Sequence, residues 1–187
     1  MRLEELHRRA VESWQAKVDA VGETQWESAT PCAEWDVRTL VNHVVGEELW
    51  TAPLVAGSTI EEVGDRFDGD LLADEPVGVA RNAAEEAARA VDERLPKGGL
   101  VHLSFGDVPI EEYVYQLTAD HLVHGWDLAA ATGQDRDLDP EVVEAIAPWF
   151  ADRESLYRDG GAVGPRSDAG GTPQDDLLAG FGRDPGW

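Results

Sequence analysis

Cysteine is nearly missing from this chain. Cys32 is the only one in 187 residues, so no intramolecular disulfide can form and nothing points to an oxidising compartment. Basic residues are scarce too: 15 Lys and Arg face 38 Asp and Glu, the only lysines are Lys17 and Lys97, and the net charge is -23. Nucleic acid and anionic membrane are held by clustered Lys and Arg, so both are poor partners for this chain. No apolar run has the length of a membrane span. The opening Met1-Arg2-Leu3-Glu4-Glu5-Leu6-His7 lacks the apolar core of a signal peptide, and the expected location is cytoplasmic. No Gly-rich phosphate loop, zinc-type cysteine cluster or nucleophilic serine motif occurs, which leaves kinase, zinc-finger and serine-hydrolase readings without support.

What the chain does have is helical periodicity, at a length that suits one domain with a sizeable core. Leu3, Leu6, Ala10, Trp14 and Val18 recur at three- and four-residue steps and predict a first helix ending before Gly22. Asp36 is a plausible N-cap for a second, striped by Val37, Leu40, Val41, Val44 and Val45, which runs to about Val55. Residues 58–75 read as a long crossover with little regular structure. Pro76 opens a third helix carried by Val79, Ala80, Ala83, Ala87, Ala90, Val91 and Leu95. Val101-His102-Leu103-Ser104-Phe105 alternates like a strand and suggests a short arm. Ile110, Tyr113, Val114, Leu117, His121, Gly125 and Leu128 mark a long fourth helix, and Val142, Val143, Ile146, Ala147, Phe150 and Leu156 an additional C-terminal one. Residues 160–187 read as an irregular tail packed on the bundle through Leu177-Leu178-Ala179-Gly180-Phe181 and Trp187. The expectation is an all-α fold over residues 1–187: one helical bundle with a long crossover.

Chemistry concentrates in Asp120-His121-Leu122-Val123-His124-Gly125-Trp126-Asp127, together with His43 on the second helix. A carboxylate and an imidazole at i and i+4 share a helix face, and a histidine from another helix would complete a three-ligand site with open positions for water or substrate. Periodicity leaves two pairs open: Asp120 with His124, or His121 with His124. Mid-stripe, His121 also reads as a packed core residue with one hydrogen bond. Asp127 is placed to accept the second N–H of a ligand imidazole. Glu47, one turn after His43, reads as a surface acid. Cys32 precedes the second helix, where a helix dipole could activate it, but with no histidine near it in sequence it reads as a packed structural thiol. Trp50 and Trp126 are candidates for the wall of a substrate pocket.

Thr30-Pro31-Cys32-Ala33-Glu34-Trp35-Asp36-Val37-Arg38, followed by His43-Val44-Val45-Gly46, resembles the opening of the mycothiol-dependent maleylpyruvate isomerase N-terminal domain family, part of the DinB-like superfamily. His124-Gly125-Trp126-Asp127-Leu128-Ala129 is similar to its second signature. Phe181-Gly182-Arg183-Asp184-Pro185-Gly186-Trp187 is similar to the close of an actinobacterial branch. The resemblance implies a DinB-like four-helix bundle holding one divalent metal, often zinc or nickel, and places His43, Asp120 and His124 on it. Asp120 departs from the usual Glu or His, so His121 could substitute.

In such relatives a low-molecular-weight thiol such as mycothiol is thought to attack an electrophilic carbon as thiolate. The resemblance therefore implies a metal-dependent thiol S-transferase or thiol-dependent isomerase acting on a small electrophile, with Arg38 as a candidate anchor for a carboxylate on thiol or substrate. A homodimer is compatible with this reading. The alternatives are a catalytically inactive metal-binding or interaction module, and a metal-assisted hydrolase that uses water in place of thiol.

Overall fold

The computed structural model describes residues 1–168 and 170–187. Helix α1 (Leu3–Asp19) turns Leu6, Ala10, Trp14 and Val18 inward, as their spacing dictates. Helix α2 (Val37–Ala56) starts where the Asp36 carboxylate accepts the Thr39 N–H at 2.7 Å. It stops at Gly57, whose φ of 102° suits a residue without a Cβ. The crossover that follows contains one short helix, α3 (Ile60–Val63), begun by a capping box between Thr59 and Glu62. Helix α4 (Pro76–Arg94) opens on proline and buries Ala80, Ala83, Ala84, Ala87 and Val91, small side chains against which α1 and α2 pack.

A single 3₁₀ turn, Leu95–Lys97, leads into an antiparallel hairpin of β1 (Leu100–Leu103) and β2 (Gly106–Pro109), with Leu100 opposite Pro109 and Leu103 opposite Gly106. Helix α5 (Ile110–Thr132) then runs through the centre. Every residue from His121 to Ala130 is buried, as expected for a helix enclosed on all sides. Helices α1, α2 and α6 (Pro140–Ala151) pack around it. The α1, α2, α4 and α5 helices form the expected DinB-like four-helix bundle, with α6 the additional helix and the hairpin the expected arm.

The C-terminal part is more regular than its composition suggests. Helix α6 ends at Ala151, where Arg153 donates to the Trp149 carbonyl at 2.8 Å and pairs with Glu112, so Leu156 falls on a separate helix, α7 (Glu154–Asp159), and is 71% exposed. Within residues 160–187, α8 (Pro173–Gly180) begins with a Thr172–Asp175 capping box and seats Leu177 and Leu178 in the core shared with α1, α5 and α6. Trp187 is not an anchor: it stays 47% exposed.

Candidate metal centre

His43 comes from α2, and Asp120 and His124 from successive turns of α5. The structure brings the three together, one ligand atom from each lying within 4.8 Å of the others. His43 Nε2 is 3.7 Å from Asp120 Oδ2, and His124 Nε2 is 3.3 Å from Asp120 Oδ1. The two imidazoles stand edge to face, 5.1 Å apart at 78°. Asp120 Oδ2 is buried without a hydrogen-bond partner. A carboxylate oxygen shut away from water and from donors is costly, which marks a position suited to a cation. Two imidazoles and a carboxylate are a donor set that could hold zinc or a similar divalent ion.

The other face of His124 is held by a second network. Its Nδ1 lies 2.9 Å from Asp127 Oδ2, one turn further along α5. Asp127 in turn accepts from Arg183 Nε at 3.0 Å and Nη2 at 2.8 Å. Cys32 Sγ completes the group, 2.9 Å from Arg183 Nη2, 3.2 Å from Asp127 Oδ2 and 3.8 Å from His124 Nδ1. Cys32, His124 and Asp127 also cluster tightly enough to hold a cation. The Arg183 guanidinium already fills that role.

Burial opposes charge on His124, but Asp120 and then Asp127 outweigh it and hold its pKa well above the usual imidazole value. Burial likewise opposes the Asp127 carboxylate, and the His124 and Arg183 hydrogen bonds overcome it, keeping its pKa low. Asp127 therefore stays an acceptor, which fixes His124 with its Nε2 toward Asp120.

Cys32 and Arg183 are the residues the sequence reading missed. Thr30 Oγ1 binds the Trp35 carbonyl at 3.0 Å, and Ala29 bridges Asp36, so the 30–36 loop folds back and presents Cys32 to α5. Cys32 is thus part of the site's network rather than a remote packed thiol.

His121 does not join the centre. It is buried behind it, with Nδ1 on the Leu117 carbonyl at 2.7 Å and Nε2 on Glu48 at 3.0 Å, so both nitrogens are occupied. Arg38 lies outside the cavity lining. It holds Asp70 and the Ala73 carbonyl, and Asn42 binds the backbone of Gly69 and Leu71, so the two staple the crossover to α2. Glu47 lines the cavity rather than the surface, and burial and the neighbouring Asp120 push its pKa up. Trp126 packs in the core, and Trp50 packs beside Phe67. The tryptophans that wall the cavity are Trp35 and Trp149.

That cavity has a volume of about 720 Å³ and lies between the bundle and the C-terminal segment, with His43, Asp120 and His124 in its lining. No described helix is long and apolar enough to cross a membrane.

Comparison with known proteins agrees with this architecture. Two uncharacterized proteins of Mycobacterium tuberculosis, from strains CDC 1551 and H37Rv, are each 38% identical over 147 residues, spanning 75% of this chain and 74% of theirs. The fold is similar to the crystal structure of a histidine-to-alanine variant of mycothiol-dependent maleylpyruvate isomerase. The TM-score is 0.60 at 15% identity, covering 79% of this chain and 68% of that one. The profile of the mycothiol maleylpyruvate isomerase N-terminal domain matches residues 7–129. With that match over most of its length, the chain belongs to the mycothiol maleylpyruvate isomerase N-terminal domain family.

Proposed function

We propose that this protein is a metal-dependent thiol S-transferase or thiol-dependent isomerase acting on a small electrophile, with mycothiol as the thiol. One observation carries the reading. His43, Asp120 and His124 converge at a cavity, with a buried Asp120 oxygen that no donor satisfies. Family membership supports the choice of thiol.

His43, Asp120 and His124 would hold the metal, and a divalent ion there would lower the pKa of a thiol at its open positions to near neutrality. Asp127, itself fixed by Arg183, holds the proton on His124 Nδ1 and so leaves Nε2 free to donate its lone pair. Glu47 keeps a proton more readily than an exposed glutamate and lines the same cavity, so it is the group we assign to exchange a proton with the electrophile. Trp35, Trp149 and Phe181 line the same cavity and would shield a bound electrophile from water. Retention of the thiol adduct would give transfer, and reversal after bond rotation would give isomerisation.

Mycothiol consumption with an enone electrophile tests this. The expected result is turnover that needs a divalent metal, is lost with chelator, and is absent in His124→Ala. Equal turnover without metal, or none with zinc or nickel, would overturn it.

A further inference from the structure

Resting on that reading of the centre, we infer that Trp35 is the positioning residue for His43. Its indole holds the His43 imidazole in the orientation that ligation needs, the part that Asp127 plays for His124. The two histidines are held by different means. His124 is tied through Nδ1 to Asp127 at 2.9 Å. His43 has no such tie. Its side chain is 32% exposed, and its Nε2 stands 3.7 Å from Asp120 Oδ2, beyond hydrogen-bond distance. Among the described residues that oxygen has no hydrogen-bond partner at all. A partly exposed imidazole with no hydrogen bond is free to change rotamer, and a ligand ordered only at the moment of binding costs affinity.

What His43 does have is another ring packed on it. Trp35 meets it with centroids 4.9 Å apart at 47°, and lies 6.0 Å from His124 at 31°. With the two imidazoles 5.1 Å apart, the three rings form a triangle, and Trp35 is its corner at the cavity wall. Ring-to-ring contact consumes no nitrogen lone pair, so it orients the imidazole without competing for a metal. A divalent ion draws electron density from the imidazoles it binds, and the negative face of an indole within about 6 Å favours that state.

Trp35 is itself fixed. Its carbonyl accepts from the Thr30 N–H at 3.2 Å and the Thr30 hydroxyl at 3.0 Å, and its N–H donates to the Cys32 carbonyl at 3.1 Å. The indole packs against the core formed by α1, α2 and α4. Glu34, immediately before it, is held at φ 69°, a left-handed conformation uncommon for a residue with a side chain. Strain of this kind persists where the surrounding contacts over-determine it, and it gathers at ligand sites. Here it directly precedes the residue that must reach His43.

Carbon-13 relaxation of the five histidine rings in metal-free protein reads the orientation without any ion. In the wild type, His43 is expected to be as rigid as His124, with an order parameter of about 0.85. Trp35→Leu and Trp35→Met keep apolar bulk but remove the aromatic face. In either, His43 is expected to fall below about 0.6 while His124, held by Asp127, stays rigid. Trp35→Phe is expected to keep His43 rigid. Competition with a chelator then reads the consequence, with circular dichroism verifying the fold of each protein. Zinc affinity is expected to weaken by about 3- to 30-fold in the leucine and methionine variants, and to stay within about threefold of wild type in Trp35→Phe.

A His43 ring that is equally mobile, or equally rigid, with and without the indole would overturn the inference. So would the same zinc affinity in all four proteins. If the wild type takes up no zinc, the metal reading falls, and the ring relaxation alone decides whether Trp35 holds His43.

Discussion

The Nη2 atom of Arg183 lies 2.9 Å from the sulfur of Cys32, although 151 residues separate them. The contact ties the end of the chain to the loop before α2 and puts a cation beside the second donor cluster. If Arg183 is the cation of that cluster, the sulfur is not needed for metal. Cys32→Ala is expected to take up a divalent ion at the wild-type stoichiometry, measured by titration with a metallochromic indicator. Loss of binding on this change alone would shift the centre to Cys32, His124 and Asp127.

Asp127 orients His124 through Nδ1 without itself reaching the centre. Asp127→Asn keeps the shape but removes the charge and one acceptor. It is expected to weaken metal binding by about 10- to 100-fold. Competition against a chelator of known affinity measures this, and an unchanged affinity would remove Asp127 from the account.

Stability of the metal-free protein should fall as pH rises above the ordinary imidazole pKa of 6.5, while opposing contributions meet below it. His124, raised above that value, contributes stability that is complete below 6.5 and is lost as pH rises through its folded pKa. His7 is pushed down to about 3 by burial and the nearby His121, so the stability it contributes falls as pH drops below 6.5, while Glu47 and Glu48, whose pKa values burial raises, act in the opposite direction. Metal uptake runs the other way across the upper limb, because the His124 proton must leave first. Urea midpoints with chelator, and metal affinity over the same range, test both signs. A metal-free midpoint that climbs steadily from pH 6 to 8 would contradict them.

Behind the centre, His121 and Glu48 join α5 to α2 through a buried bond of 3.0 Å. His121→Leu leaves Glu48 enclosed with no partner and is expected to cost about 3–5 kcal/mol in chemical denaturation. A loss below about 1 kcal/mol would mean that water enters to replace the imidazole.

The four bundle helices were legible because each carries a long apolar stripe with a stop, such as Asp36 and Gly57 around α2. The pairing of Asp120 with His124 was legible for the same reason, since helical pitch fixes what lies one turn away. Periodicity could not choose between Asp120 and His121, because both are near neighbours of His124. The choice depends on Glu48, which takes the His121 nitrogen from across the helix interface. Cys32 and Arg183 sit in loops, where no repeat relates sequence distance to space. Arg38 showed the converse limit. It stands in a family-like motif, yet its guanidinium holds Asp70 at 3.0 Å in the crossover. The short helices α3 and α8 were missed for lack of a stripe, although the patterns Thr59-Ile60-Glu61-Glu62 and Thr172-Pro173-Gln174-Asp175 carry their capping boxes.

The central claim is that His43, Asp120 and His124 bind one divalent ion, and elemental analysis tests it most directly. Tag-free protein and a His43→Ala/His124→Ala variant would be loaded with zinc or nickel, desalted and assayed for bound metal, with circular dichroism verifying the fold of both. The account predicts close to one ion per chain in the wild type and almost none in the folded variant. Wild-type protein that retains neither metal, or a variant that retains as much as the wild type, would contradict it.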